Sequence, residues 1–365
     1  MTSGSAAGGP RREHLGRRIA WGAHLVLAAA TLLAYVSPYV EPAGLWPFAF
    51  AALAYPMLAA ALGSLAGFWI YRGRYGRAAL SAAVLLLGYG HIRQYLGWHR
   101  APAELPEEAV AFASFNLLGG RAFSDLDDEA LAAKSDALVA CLAADVLALQ
   151  ESPAYNRTAD AVDAALLREG VSHHYRPDDL YLSLHSRYPI VRARAVERFN
   201  RINGIVAADL ALPTGDTLRV LVAHLESNRV RLDPQTVARD VAQADPQAYR
   251  AVRGVAANYR EGARRRSRQA AVLAEATAES PYPVVLLGDL NDVPLSYTLG
   301  ELRRAGLIDA FREAGRGSGI TYGGPVPALR IDYVLATEEL EALTASVLKC
   351  DFSDHRPTRA VLSAK

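Results

Sequence analysis

The residues best suited to chemistry gather in residues 283–294, PVVLLGDLNDVP. An apolar run at 284–287 breaks at Gly288 into Asp289, Asn291 and Asp292. A short apolar run ended by glycine is the pattern of a buried strand entering a loop. Asp289 and Asn291 are two apart, so on an extended chain they share a face. Carboxylate and amide oxygens at a strand end suit a hard cation or a reacting phosphate. A polar turn after a core strand would look the same in isolation, so the weight falls on what recurs elsewhere.

Polar groups do recur at the ends of other apolar runs. The run 110–117 carries Asn116, the run 145–149 is followed by Gln150 and Glu151, and the run 218–225 carries His224. The run 330–336 holds Asp332, and Asp354 and His355 precede the last run, 358–362. If those ends converge, they make a phosphoester-hydrolysing site. Glu151 and Asp354 would hold Mg²⁺, which favours carboxylates together with water and substrate phosphate. His355, held by Asp332, is placed as general base toward water. Asp289 and Asn291 would orient nucleophile and phosphate, and His224 would stabilise or protonate developing charge. Arg187 is a candidate to hold Glu151 or a phosphate oxygen in a bidentate contact.

The order Asn116, Gln150-Glu151, SRYPI at 186–190, His224-Leu225, GDLN at 288–291, Asp332-Tyr333 and SDH at 353–355 resembles the endonuclease/exonuclease/phosphatase superfamily, which is deoxyribonuclease I-like. The resemblance covers residues 109–365. It implies a four-layer α/β/β/α sandwich and Mg²⁺-dependent phosphoester hydrolysis, with Mn²⁺ or Ca²⁺ as substitutes. It assigns the metal Glu to Glu151 with Asp354 beside the metal, the phosphate-side groups to Asn116, Asp289 and Asn291, and the Asp–His pair to Asp332 and His355. His224 sits where the deoxyribonuclease and sphingomyelinase members have a histidine. The Tyr used by abasic-site endonucleases has no clear match, which weakens that reading.

The elements that must position these groups are legible in outline. Residues 127–144 have helical spacing, and 205–212 with 218–225 form a hairpin around Pro213-Thr214-Gly215-Asp216. Residues 296–305 read as a helix, and 345–348 as a further strand. Alternating strands with helices between them predict a two-layer sheet core covered by helices. Residues 229–268 are helical and hold ten arginines, either a solvated face or a clamp for phosphates or anionic lipid.

The first hundred residues differ in kind. A small, polar and then basic tail, 1–18, precedes three apolar segments at about 19–40, 45–71 and 78–98. The first two exceed the ~20 residues needed to cross a bilayer. In the third, His91 and Arg93 follow a clean core at 78–90, and Arg93 is expected to snorkel beside Tyr95 and Trp98. His24 and His91 lie near segment ends, where interfacial placement is expected rather than function. The tail and the loop with Arg72, Arg74 and Arg77 are basic, whereas the loop at 37–44 has no Lys or Arg. Three spans with basic loops inside predict a multi-pass inner- or plasma-membrane protein. Its domain, 109–365, then lies outside the cytoplasm after a Pro-rich linker at 99–108.

Basic and acidic residues number 39 and 38, so no global basic field marks a nucleic-acid binder. Cys141 and Cys350 give no disulfide framework or metal spacing, and Cys141 falls in an apolar helical pattern that reads as core. The expected function is membrane-anchored phosphodiester hydrolysis, first of the endonuclease or exonuclease type. The alternative is a phospholipid phosphodiesterase or phosphatase, of sphingomyelinase or inositol-phosphatase type. The expected partners are nucleic acid or phospholipid as substrate and the lipid bilayer; no protein partner is implied. The rival class is a non-catalytic module that binds phosphorylated ligands, disfavoured because every acid–base and metal position is filled.

Overall fold

Two six-stranded sheets organise the chain beyond residue 109. The computed structural model describes residues 9–152, 156–228, 246–324 and 329–365. One sheet contains β2 (Val110–Asn116), β3 (Val146–Gln150), β4 (His173–Tyr175), β5 (Leu182–Ser186), β13 (Leu340–Val347) and β14 (Thr358–Ala364), in the order β13-β14-β2-β3-β5-β4. The other contains β6 (Ile190–Arg198), β7 (Gly204–Ala211), β8 (Thr217–His224), β9 (Val284–Asp289), β10 (Ile308–Asp309) and β12 (Asp332–Ala336), in the order β10-β12-β9-β8-β7-β6.

The layers follow from what each face buries. Phe112, Val146, Leu184, Val206, Val220 and Leu287 meet in one core between the two sheets. Helices α5 (Asp128–Leu142) and α6 (Arg157–Arg168) cover the outer face of the first sheet through Leu138, Leu142, Val162 and Leu166. Helices α7 (Pro246–Ala278) and α8 (Tyr297–Arg304) cover the second through Leu273, Leu299 and Leu302. This is the expected α/β/β/α sandwich. Two helix starts are fixed by side chains that accept from the first-turn backbone: Asp127 from Ala130 N and Ser296 from Leu299 N.

Strand direction decides where the site forms. The neighbours β2 and β3 run parallel, as do β8 and β9. Their C-terminal ends therefore lie side by side, with Asn116 opposite Gln150 and His224 opposite Asp289. The antiparallel β12 begins at the same edge, with Asp332 opposite Asp289. Gly288 permits this seam. A Cβ there would lie 2.2 Å from the Ala223 carbonyl oxygen, so a side chain would push β8 and β9 apart.

The apolar region forms α1 (Gly9–Val36), α2 (Pro47–Tyr71), α3 (Tyr75–Leu87) and α4 (Tyr89–Ile92). Two of its helices, with apolar spans Arg18–Tyr39 and Pro47–Tyr71, are long and apolar enough to cross a membrane. The third segment differs from expectation: its helix ends at Ile92, and Leu96–Trp98 is instead a strand, β1, paired with β11 (Arg316–Ser318). Arg93 donates to the Glu313 carbonyl at 3.1 Å, and Tyr95 is buried. His24 is also buried within the protein. It accepts from Trp69 Nε1 at 2.9 Å and meets Ser81 Oγ at 2.9 Å, tying three helices together.

These helices pack directly on the sandwich. Ala34, Ala52, Tyr55 and Tyr95 share a buried cluster with Val293, Leu295, Leu329 and Ile331. Fully buried Arg330 pairs with Asp309 and donates to the Gln94 carbonyl at 2.9 Å. Tyr259 donates to the Ala49 carbonyl at 3.0 Å, and Arg304 to that of Pro38 at 3.1 Å. The stretch 99–108 thus follows the first strand contact with the sandwich, so it does not separate the helices from it.

The cysteines correct the sequence reading. Cys141 on α5 and Cys350 are joined in a disulfide across 209 residues of sequence. A lone pair this distant carries no spacing signal; the fold alone brings it together.

Candidate active site

Seven of the expected residues meet at one edge of the sandwich. Asn116 Nδ2 donates to Asp289 Oδ2 at 3.0 Å and to Glu151 Oε1 at 3.2 Å. His224 Nε2 lies 3.6 Å from Asp289 and 3.9 Å from Glu151. His355 Nδ1 lies 3.0 Å from Asp332 Oδ2, and its Nε2 lies 3.8 Å from Asp289 Oδ2. Asn291 Nδ2 donates to the Leu225 carbonyl at 3.0 Å, and its backbone N–H closes a turn on Asp289 Oδ1 at 2.9 Å.

Backbone conformation sharpens the picture. Glu151 and Asn291 both have φ of 50°, a left-handed conformation that costs a non-glycine residue energy. Each sits just past a buried strand end, where the turn redirects its side chain. The neighbouring Leu118, at φ 51°, holds the loop beside Asn116, whose Oδ1 accepts from Leu118 N at 2.9 Å.

The electrostatics centre on the Asp–His pair. Burial opposes a charge on His355. The adjacent Asp332 and Asp289 carboxylates, with Asp354, outweigh it and push its pKa up to about 10. Burial lifts Asp332 above the usual carboxylate range against the pull of His355, and Asp289 adds to the lift. Asp332 is also fixed from behind, since its backbone N–H donates to Thr321 Oγ1 at 3.1 Å. Asp354 is half-buried, and its Oδ1 accepts from Ser353 Oγ at 3.3 Å.

The donor set fits a hard divalent ion. Asp289, Asp332 and His355 offer ligand atoms within 4.8 Å of one another, and Glu151 reaches the same Asn116 amide as Asp289. Oxygen donors of this kind suit Mg²⁺ or Ca²⁺ rather than softer ions. His224 presents Nε2 to the carboxylates, while its Nδ1 is buried without a hydrogen-bond partner among the described residues.

Arg187 does not join the site. It pairs with Asp145 at 2.9 Å, at the start of β3, whereas Glu151 follows the strand's far end. The sequence reading passes over a tyrosine and an arginine that complete the surroundings. The Tyr322 ring lies 5.2 Å from that of His355, and burial with Asp354 and Asp289 raises its pKa. Nothing in the local sequence around Tyr322 marks it. Arg266 did leave a signal: it falls in helical register with Tyr259, Ala263, Ala270 and Leu273, all buried. Fully buried itself, it lies 3.1 Å from Asp292 and donates to the Glu226 carbonyl and Asn228. Within the arginine-rich stretch it is therefore a brace for the loops at 226–228 and 289–293. Arg229, Arg231 and Arg239 lie outside the described residues.

Paired carboxylates, a bridging asparagine and an Asp–His couple at the edge of a four-layer sandwich define a phosphoric ester hydrolase. The sequence model of the Endonuclease/Exonuclease/phosphatase family matches residues 113–355, and the chain belongs to that family, whose enzymes depend on divalent metal. A second model, a domain of unknown function, matches residues 17–95, the apolar helices. No curated protein matches the sequence. Among solved structures, the human Nocturnin catalytic domain with bound sulfate is 17% identical, with a TM-score of 0.51 over 73% of this chain and 99% of its own. An endonuclease/exonuclease/phosphatase from Beutenbergia cavernae is 20% identical, with a TM-score of 0.47 over 71% and 72%. Sphingomyelinase C from Streptomyces griseocarneus is 18% identical, with a TM-score of 0.47 over 70% and 99%. At these identities the likeness is one of fold.

Proposed function

We propose that this chain is a membrane-anchored, Mg²⁺-dependent phosphodiesterase whose substrate is presented at the membrane surface, on the extracytoplasmic side. One observation carries this reading: the loops that flank the site are the loops packed on the apolar helices. Val293 and Leu295 follow Asp289 and Asn291, Leu329 and Ile331 precede Asp332, and all four pack against Ala34, Ala52, Tyr55 and Tyr95. The edge of the sandwich that does chemistry is thus the edge nearest the helices, which reverses the order the sequence suggested and puts a phospholipid headgroup ahead of nucleic acid.

The sidedness rests on charge and contact together. The 37–41 loop and the Gln94 end of the third segment both touch the domain. The arginines at 72, 74 and 77 lie at the opposite helix ends. Basic loops stay cytoplasmic, so the domain lies outside. A disulfide suits that oxidising side.

In this reading Glu151 and Asp289, with Asn116 beside them, would hold the ion, while Asp354, the other expected ligand, accepts from Ser353 Oγ. When bound, Mg²⁺ polarises the phosphoryl oxygen and stabilises the leaving oxygen. Asp289 and Asn291 orient the nucleophile and phosphate, and Asp332 fixes the His355 ring with Nε2 toward the attacking water, where it would act as base once a bound cation offsets the carboxylates that hold it protonated. His224, with Nε2 turned to the two carboxylates, stabilises charge on the phosphoryl group.

Nucleic acid is the second reading, favoured by Arg253, Arg260, Arg265 and Arg268, all exposed on α7. One experiment separates the two. The full-length protein and its His355→Ala variant are incubated with Mg²⁺ and either phospholipid vesicles or supercoiled plasmid. Release of a phosphorylated headgroup or of lipid phosphate by the intact protein alone, without nicking, is the expected result. Nicking that falls steeply with salt, with the vesicles untouched, would replace lipid by nucleic acid.

A further inference from the structure

Where the outer ends of the apolar helices meet the sandwich, a small cavity of about 50 Å³ is lined by Gln94, Pro294, Asp309 and two arginines, Arg303 of α8 and Arg312 of α9 (Ala310–Ala314). We propose that Arg303 and Arg312 bind the phosphate of an anionic phospholipid headgroup, at a site separate from the active site.

The argument begins with charge balance. Both arginines are partly buried, and Arg303 finds its cationic form disfavoured by burial and by the nearby charge of Arg312. Asp309 is the carboxylate at hand, but it is committed elsewhere. Its two oxygens accept from the two terminal nitrogens of Arg330, and Oδ1 also accepts from Phe311 N. Among the described residues no carboxylate lies within ion-pair distance of Arg303, whose one hydrogen bond is to the Pro294 carbonyl at 3.5 Å. Among the described residues the only carboxylate within ion-pair distance of Arg312 is its exposed neighbour Glu313, at 3.9 Å. Two guanidiniums lining one cavity with so little compensation are stabilised by an anion that accepts from both, and phosphate oxygens match the guanidinium fork.

Position argues for lipid as the source. The Arg312 guanidinium lies within van der Waals reach of a Cβ built on Gly90, in the last turns of the third apolar segment. Tyr39, 69% exposed at the end of the first apolar span, is close enough to Arg303 to act on its charge. Tyr89 and Trp98 are also half-exposed nearby along the chain. Aromatic residues at helix ends mark the headgroup level of a bilayer, so the cavity opens where lipid phosphates lie. The inference rests on the membrane reading of these helices and not on the reaction.

The test uses full-length protein in detergent micelles and reads bound lipid by native mass spectrometry. Phosphatidylglycerol, phosphatidylcholine and inorganic phosphate are offered separately, and phosphate also in competition with phosphatidylglycerol, to the wild type, to Arg303→Gln/Arg312→Gln and to a control, Arg192→Gln, on the remote edge strand. The expected result is retention of phosphatidylglycerol by wild type and control, with a loss of about tenfold or more in the double variant. The single Arg312→Gln change, at a partly exposed position, should give an intermediate loss without a change in melting temperature. Equal retention of the two lipids, or retention unchanged in the double variant, would overturn the site. Inorganic phosphate displacing phosphatidylglycerol at equal concentration would overturn lipid as the source. Flotation with phosphatidylcholine vesicles reports membrane insertion separately, and hydrolysis by His355→Ala plays no part in the readout.

Discussion

Asn116 and Asp289 join the two sheets: the Asn116 amide, at the end of β2, donates to the Asp289 carboxylate, at the end of β9, at 3.0 Å. The site is therefore built across the interface of the sandwich, and its metal-side oxygens are held by one side chain that also reaches Glu151. Asn116→Ala should leave the fold intact but loosen both carboxylates. The Mg²⁺ concentration for half-maximal activity should rise about 10–100-fold, as for lost supports of metal ligands. A titration of activity against Mg²⁺ measures this, and an unchanged midpoint would remove Asn116 from that role.

The Asp332–His355 pair is proposed to carry proton movement. His355→Ala and Asp332→Asn should each lower kcat by about 10²–10⁴, with little change in melting temperature for Asp332→Asn. EDTA should abolish the activity of the wild type, and Mg²⁺ should restore it. Substantial turnover by His355→Ala on an activated phosphodiester would assign the base elsewhere.

Cys350 stands three residues before Ser353, in the segment that presents Asp354 and His355, and its disulfide ties that segment to α5. Reduction, or Cys141→Ser with Cys350→Ser, should destabilise by about 2–4 kcal/mol and should lower activity before global unfolding. Thiol titration of unreduced, denatured protein should find no free thiol. Two free thiols in protein made in an oxidising compartment would contradict the pairing.

His185 provides a pH signature of stability. Burial, relieved only in part by Asp163, lowers its pKa to about 3, against 6.5 in the unfolded chain. Below pH 6.5 the unfolded state takes up a proton that the folded state refuses. This contribution is complete above pH 6.5 and is lost progressively as pH falls toward 3. His185→Gln should flatten the melting temperature between pH 7 and 5; an equal slope in both proteins would show that another group titrates.

The helices should matter to the domain's stability. A fragment beginning at Ala103 exposes Val293, Leu295, Leu329 and Ile331 and removes the Gln94 carbonyl from Arg330. It should melt lower than the full chain and associate in solution. Equal melting temperatures would make the packing incidental.

What the sequence disclosed was local. Gly288, Asp289 and Asn291 lie on one strand and its turn, and Asp354 and His355 are adjacent, so their spacing survives in one dimension. Strand ends were visible as apolar runs, and parallel neighbours then brought Asn116, Glu151 and His224 to one edge. The groups that escaped reading depend on distant partners. Arg187 belongs to Asp145 because β5 runs antiparallel to β3, a register no run of residues announces. Arg330 meets Gln94 across 236 positions. Residues 96–98 read as helix because they are apolar, yet they pair as strand because an edge at Arg316–Ser318 awaited them.

That edge pairing has a mechanical meaning. Backbone hydrogen bonds begin four residues after the last apolar helix ends, and Gly97 lies so close to Gly315 that a Cβ would fall 2.2 Å from its carbonyl oxygen. A tethered enzyme explores a sphere set by its slack; this mounting leaves none. The sandwich cannot swing out to meet a partner in bulk solution, nor turn its working edge away from the helices. In the membrane reading proposed above, encounters would be confined to two dimensions, with rates set by how densely substrate populates the surrounding sheet of lipid rather than by how much is present in the volume above it.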